Sequence, residues 1–257
     1  MELGNNLKLE KFNPEVLREY DIRGIVDLDL TLNTAYTIGR TFGYVVCSQF
    51  NEKTIVVGYD GRLTSPKLHQ SLCKGLEQSG ANVISIGMGP TPMTYFAHHK
   101  MQTNAAIMVT GSHNPSEYNG FKMVLNQHSF FAENIQLLQT LVDDPNLSIK
   151  EGSFREVFLK DVYVERNLQN INLDKKLKIA WDVGNGAMGA VMNLFTSQLS
   201  NAEHIVINKE VDGTFPNHHP DPTVPKNMEQ LISCVKENNC DIGLAFDGDG
   251  DRLGVID

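Results

Sequence analysis

A chain of 257 residues, 41% hydrophobic and 21% charged, has the composition of a folded protein and is long enough for one large core or two of ordinary size. Its net charge of −9 excludes the basic stripe of a general nucleic-acid binder, so no nucleic-acid partner is expected and an anionic substrate must be met by a few local cations. No run approaches a membrane span and no apolar leader follows a basic start, so a cytoplasmic protein without a membrane partner is expected.

In chain order, a polar opening segment leads to Glu19-Tyr-Asp-Ile-Arg-Gly24, where charged and aromatic residues crowd against a glycine. Residues 31 to 50 carry Ala35, Ile38, Phe42, Val45 and Val46 on one helical face. Thr54 to Tyr59 is β-branched and reads as a buried strand ending in Asp60-Gly-Arg62. A helix follows, with Ser65 as N-cap, Pro66 in the first turn, a Leu68, Leu72, Leu76 stripe and a stop at Gly80. Asn82 to Ile86 is the next strand, then a helix near 93 to 101, a strand at Ala105 to Val109 and another at Phe121 to Leu125.

Between Asp143 and Ser153 the sequence turns polar, with Pro145 and Gly152, and a domain boundary is placed there, dividing the chain into residues 1–152 and 153–257. A helix is expected from Phe154 to about Ile171. The alternation then restarts: a strand at Lys178 to Val183, a helix to about Leu199, a strand at His204 to Ile207, a Pro/His-rich loop over 212 to 225, a helix from Met228 to Lys236, and strands at Asp241 to Phe246 and from Leu253. This rhythm predicts two consecutive α/β domains with mixed, largely parallel sheets sandwiched by helices. A last strand reaching Asp257 reads as a pattern cut in the middle. The scattered cysteines, Cys47, Cys73, Cys234 and Cys240, contain no C-x-x-C pair and read as small buried apolar residues.

Three stretches carry chemistry. Thr110-Gly-Ser-His-Asn-Pro115 follows a buried strand with a turn, which displays Ser112 at a strand end either as a nucleophile or phosphoryl carrier or as a turn serine satisfying its own backbone. In Asp247-Gly-Asp-Gly-Asp251 the alternate residues point one way and the glycines permit a tight path, so three carboxylates share a small volume. Two unit charges about 5 Å apart repel by roughly 3 kcal/mol at an effective dielectric near 20, so a divalent cation, Mg²⁺ or Ca²⁺ from the all-oxygen set, is favoured over a solvated acidic turn. Gly184-Asn-Gly-Ala-Met-Gly189 matches G-x-G-x-x-G after a strand, but no fitting acid closes the next strand, and a tight strand-to-helix turn is favoured over a dinucleotide site. Arg23, Arg62, Lys122 and Arg252 sit near polar turns, each a surface charge alone but together the local cations an anion requires. His98-His99 reads as structural, and His218-His219 as a cleft wall.

Taken together, EYDIRG (19–24), GYDGR (58–62), TGSHNP (110–115), YNGFK (118–122), DGTFPNHHPDP (212–222) and DGDGDR (247–252) resemble the α-D-phosphohexomutase family, in its phosphomannomutase/phosphoglucomutase branch. The resemblance implies interconversion of hexose 1- and 6-phosphates through a phosphoserine at Ser112 and a bisphosphorylated sugar, with hexose 1,6-bisphosphate as activator. It implies Mg²⁺ held by Ser112, Asp247, Asp249 and Asp251, and Arg23, Arg252, Lys122 and His113 as catalytic residues, with Lys122 as general acid/base or charge stabiliser. Tyr20, Arg23, Lys122 and His218 would bind the phosphosugar. Family members have four domains and the resemblance covers the first two, so a fragment with little turnover alone is expected. The oligomeric state is left open. The alternatives are a nucleotide-binding α/β module on the 184–189 turn or a non-catalytic metal-binding remnant.

Overall fold

The computed structural model describes residues 7–257; the first six residues of the opening segment lie outside the described residues. The elements are β1 (Ile22–Ile25), α1 (Leu32–Gln49), β2 (Thr54–Tyr59), α2 (Ser65–Gln78), β3 (Asn82–Met88), α3 (Thr91–Met101), β4 (Ala105–Val109), β5 (Tyr118–Leu125), β6 (His128–Ser129), α4 (Glu133–Leu141), β7 (Ser153–Glu156), α5 (Lys160–Leu168), β8 (Leu177–Asp182), α6 (Gly189–Gln198), β9 (Ala202–Ile207), α7 (Glu229–Asn238), β10 (Ile242–Phe246) and β11 (Leu253–Ile256). They form a seven-stranded sheet, β1-β5-β4-β2-β3-β7 with β6 on β5, and a four-stranded sheet, β11-β10-β8-β9. The expected fold class holds: both sheets are mixed, parallel through β4-β2-β3-β7 and β10-β8-β9 and antiparallel at β1, β5, β6 and β11.

Burial on both faces explains why the central strands are continuously apolar. In β2, Ile55 and Val57 pack with α1, α2 and α4 through Ile38, Phe42, Leu72, Leu76 and Ile135. Val56, between them, points the other way, into a core that holds Met93 and Ala97 of α3, Val164 of α5, Trp181 of β8 and Met192 of α6. That second core runs continuously from one sheet to the other. It fixes their mutual placement, and with it the distance between loops at the ends of β4 and β10.

Three local expectations are corrected. The chain from 153 to 156 is not helical but an edge strand on β3, with Phe154 opposite Val83 and Glu156 opposite Ser85, so the first sheet extends past residue 152 and the helix begins only at Lys160. The N-cap of α2 is Thr64, and Ser65 is instead the first helical residue; its hydroxyl is drawn to Asp60 Oδ1 at 2.5 Å because that buried carboxylate needs donors. Of the cysteines, Cys73 and Cys234 are buried while Cys47 and Cys240 are half-buried, and all four are free. β1 and α4 were not legible, being short and of mixed polarity.

Candidate functional site

Parallel strands deliver their C-terminal ends to one edge of a sheet, and both chemical loops begin there. The loop after β4 places Ser112 at φ +51°, a left-handed conformation that a non-glycine residue adopts only when its surroundings enforce it. The enforcing group is Arg62. Its guanidinium, 1% exposed, donates to the carbonyls of Ser112 (2.9 Å), Asn114 (2.6 Å), Pro115 (2.6 Å) and Tyr118 (2.9 Å). Beneath it Asp60 accepts from the Gly111 amide (3.2 Å) and lies 3.3 Å from Arg62 Nε, while the Phe215 ring of the 212–225 loop covers the guanidinium at 5.2 Å. Arg62 is therefore not one of the cations open to an anion: it is buried and saturated with backbone carbonyls.

The loop after β10 turns back so that Asp247, Asp249 and Asp251 each bring an oxygen within 4.8 Å of the others, the first two buried and the third exposed. Asp247 Oδ1 accepts the amides of Asp251 (3.0 Å) and Arg252 (3.1 Å), which closes the loop on itself. Its other oxygen accepts from Ser112 Oγ at 3.2 Å, so the structure brings the two motifs together across 135 residues. Burial, then the neighbouring Asp249 and Asp251 charges, pushes the Asp247 carboxyl up to about 7. Burial would raise Asp249 too, but Lys122 outweighs it and holds that carboxyl at about 2. Lys122 Nζ bridges Asp249 (2.7 Å) and Asp251 (2.6 Å), and although burial opposes its charge, the two carboxylates raise its pKa well above the ordinary lysine value. Lys122 is thus held between the two carboxylates as their shared partner, a position from which it can stabilise charge. Asp249 Oδ2 also accepts from Thr91 (2.5 Å), whereas its Oδ1 is buried without any hydrogen-bond partner. An orphaned carboxylate oxygen inside a three-carboxylate cluster fits a hard divalent cation.

Around this pair, Arg23 donates to Asn114 Oδ1 (2.6 Å) and is paired with Asp21, so it braces the serine loop from β1. Arg252 Nε lies 4.0 Å from Asp247 and its side chain is 39% exposed, leaving it open to the cleft. His113 Nδ1 is 3.3 Å from Ser112 Oγ, and burial followed by the Arg252 charge lowers its pKa. Tyr20 is 72% exposed. His218 faces acceptors on both ring nitrogens, Asp182 at 2.9 Å and the His219 carbonyl at 3.0 Å, and the Asp182 bond raises its pKa. It ties the 212–225 loop to β8. His98 is buried, with Nδ1 bonded to Thr103 Oγ1 at 2.8 Å and Nε2 without a hydrogen-bond partner.

The 184–189 turn is a buttress. Its amides are engaged within the protein, Asn185 to Asn208 O, Gly186 to Val183 O and Ala187 to Gly248 O, which leaves no cradle for a pyrophosphate. A Cβ on Gly186 would stand 2.8 Å from Gly248 O and 3.2 Å from Asp247 O. Gly186→Val is therefore expected to displace the tri-aspartate loop and weaken Mg²⁺ binding by about tenfold or more, measured calorimetrically, with little change in helix content. Asp60, Thr91 and Asn114 were not singled out as site residues: Asp60 and Thr91 meet their loops only across the fold, and Asn114, although inside the 110–115 motif, shows its role only where Arg23 reaches it from β1.

The fold and site thus define a mixed α/β protein of two helix-flanked sheets, in which a serine on an enforced loop meets a cluster of three carboxylates. Residues 14–144 match the description "Phosphoglucomutase/phosphomannomutase, alpha/beta/alpha domain I" and residues 157–257 the corresponding domain II. The chain belongs to the phosphoglucomutase/phosphomannomutase family. It is 46% identical to a phosphomannomutase/phosphoglucomutase of Pseudomonas putida over 94% of this chain and 52% of that protein, and 41% identical to a phosphoglucomutase of Neisseria meningitidis serogroup B over 94% and 53%. A crystal structure of a phosphoglucomutase/phosphomannomutase family protein from Burkholderia thailandensis superposes with a TM-score of 0.90 at 40% identity, over 95% of this chain and 55% of that one. The chain thus spans about half the length of the curated relatives it matches. No helix among the described residues is long and apolar enough to cross a membrane.

Proposed function

We propose that this chain carries the phosphoserine and metal half of a phosphohexomutase site, acting on hexose 1- and 6-phosphates through a bisphosphorylated sugar. The observation that carries the reading is Ser112 Oγ at 3.2 Å from Asp247 within the tri-aspartate cluster. Mg²⁺ fits this donor set, held by Asp247, Asp249, Asp251 and the Ser112 oxygen, and when bound it would neutralise carboxylate and phosphate charge. Hexose 1,6-bisphosphate is the proposed activator that charges Ser112.

The chain's own residues divide the remaining work. Arg62 and Asp60 hold the loop so that Oγ is presented; His113 lies beside the hydroxyl as it changes between free and esterified forms; Arg252 and Arg23 face the charge that develops on the transferring group. Lys122, held by Asp249 and Asp251, serves as the general acid/base or charge stabiliser at the sugar oxygen. Tyr20 and His218 complete the residues that bind the phosphosugar, His218 as part of the cleft wall. The two units are proposed to divide after Glu156, where the first sheet ends.

Incubating the chain with glucose 1,6-bisphosphate and Mg²⁺, then mapping peptides by mass spectrometry, is expected to place phosphate on Ser112 and to lose it in Ser112→Ala and Asp249→Asn. Phosphate elsewhere, or retained in Asp249→Asn, would refute the assignment. Lys122 is the cation that now satisfies Asp249 and Asp251, so Lys122→Met is expected to tighten Mg²⁺ binding to the unphosphorylated chain by about tenfold in the same calorimetric assay.

A further inference from the structure

A cavity of about 460 Å³ opens on the far flank of α2, within the range of small-molecule sites. It exists because the first sheet outruns its helices. Phe154 and Glu156 of β7 lie opposite Val83 and Ser85 and so share the face that α1 and α2 cover, but α2 stops short of them and leaves Phe154 46% exposed. Tyr36, Tyr59 and Phe154 supply aromatic walls, His69 the floor, and Glu77 and Glu156 the charge. Tyr59 packs on His69 with ring centroids 4.8 Å apart, which fixes the floor. Glu77 is paired with Lys74 at 3.3 Å on the rim; Glu156 has no ion-pair or hydrogen-bond partner among the described residues. Burial and the Glu156 charge together raise the Tyr59 pKa and keep its hydroxyl a donor.

We infer that this trough binds a small organic cation on a flat aromatic body, a protonated arylalkylamine being the simplest member of the class. Two carboxylates against one lysine disfavour an anion, and an ammonium drawn to Glu156 would lie against the Tyr59 ring, where the quadrupole adds to the ion pair. The aromatic body would cover Phe154, an apolar side chain otherwise left in water. No residue of the serine loop or the aspartate loop lines the trough, so the inference does not rest on the mutase reading.

The test is calorimetric titration of the full chain with tryptamine and with its neutral counterpart tryptophol. Phe154 and Glu156 are exposed edge-strand residues, so Glu156→Gln and Phe154→Ala should fold, and circular dichroism checks this. Saturable one-to-one tryptamine binding is expected, about tenfold weaker in each variant and for tryptophol, and unchanged in Ser112→Ala. Absence of saturation, equal affinity in Glu156→Gln, equal affinity for tryptophol, or loss in Ser112→Ala would each overturn the proposal.

Discussion

Asp247→Asn is expected to make the metal-free chain more stable by about 2–4 kcal/mol at pH 8 while weakening Mg²⁺ binding by about 100-fold or more. The side chain is fully buried with two other carboxylates close by, and its carboxyl is pushed up to about 7. Asn keeps an oxygen for the Asp251 and Arg252 amides and presents an amide toward Ser112 Oγ, so the loop geometry survives while one buried charge disappears. The sign follows from linkage. A carboxyl whose folded pKa lies above its ordinary value favours the fold when protonated, so its stabilising balance is full below about 3.8 and is lost as pH rises through about 7. Urea unfolding between pH 5 and 8, without metal, should show stability falling with pH in the wild type and a flatter profile in Asp247→Asn. A less stable variant at pH 8 would show that the carboxylate is not strained.

Arg62→Met is expected to cost about 3–5 kcal/mol, because it strands the buried Asp60 carboxylate and removes the donor from four carbonyls. Arg62→Lys separates fold from function. A lysine restores a charge beside Asp60, but a point ammonium cannot reach four carbonyls as a planar fork does. Most of the stability should return, while phosphate incorporation at Ser112 should fall by about 100-fold, since the φ +51° conformation loses its support. Equal loading of wild type and Arg62→Lys, read by the same peptide mapping, would show that the loop holds its shape without the fork.

The amino-acid sequence by itself determined the alternating α/β rhythm, the central strands, the stripes of α1 and α2, and the two chemical loops. Each of these is a local signal: β-branched runs such as Thr54 to Tyr59, a repeat of leucines at helical spacing, glycines flanking carboxylates. Such signals fail where identity depends on a distant partner. Ser153–Glu156 becomes a strand only because the β3 edge is open beside it, and no periodicity in that stretch says so. Charge roles failed for the same reason. Arg62 and Lys122 look alike in sequence, each near a polar turn, yet tertiary packing surrounds one with backbone carbonyls and sets the other between two carboxylates. Burial decides what a charged group does, because low dielectric magnifies whichever partner it meets. The turn at 184–189 was legible as a tight turn rather than a nucleotide fingerprint, but only the fold shows what it packs on, the Gly248 carbonyl that takes the Ala187 amide. The sequence determined which side chains this protein has for chemistry. Only the tertiary structure, by joining two sheets through one core, decided which of them meet at Ser112.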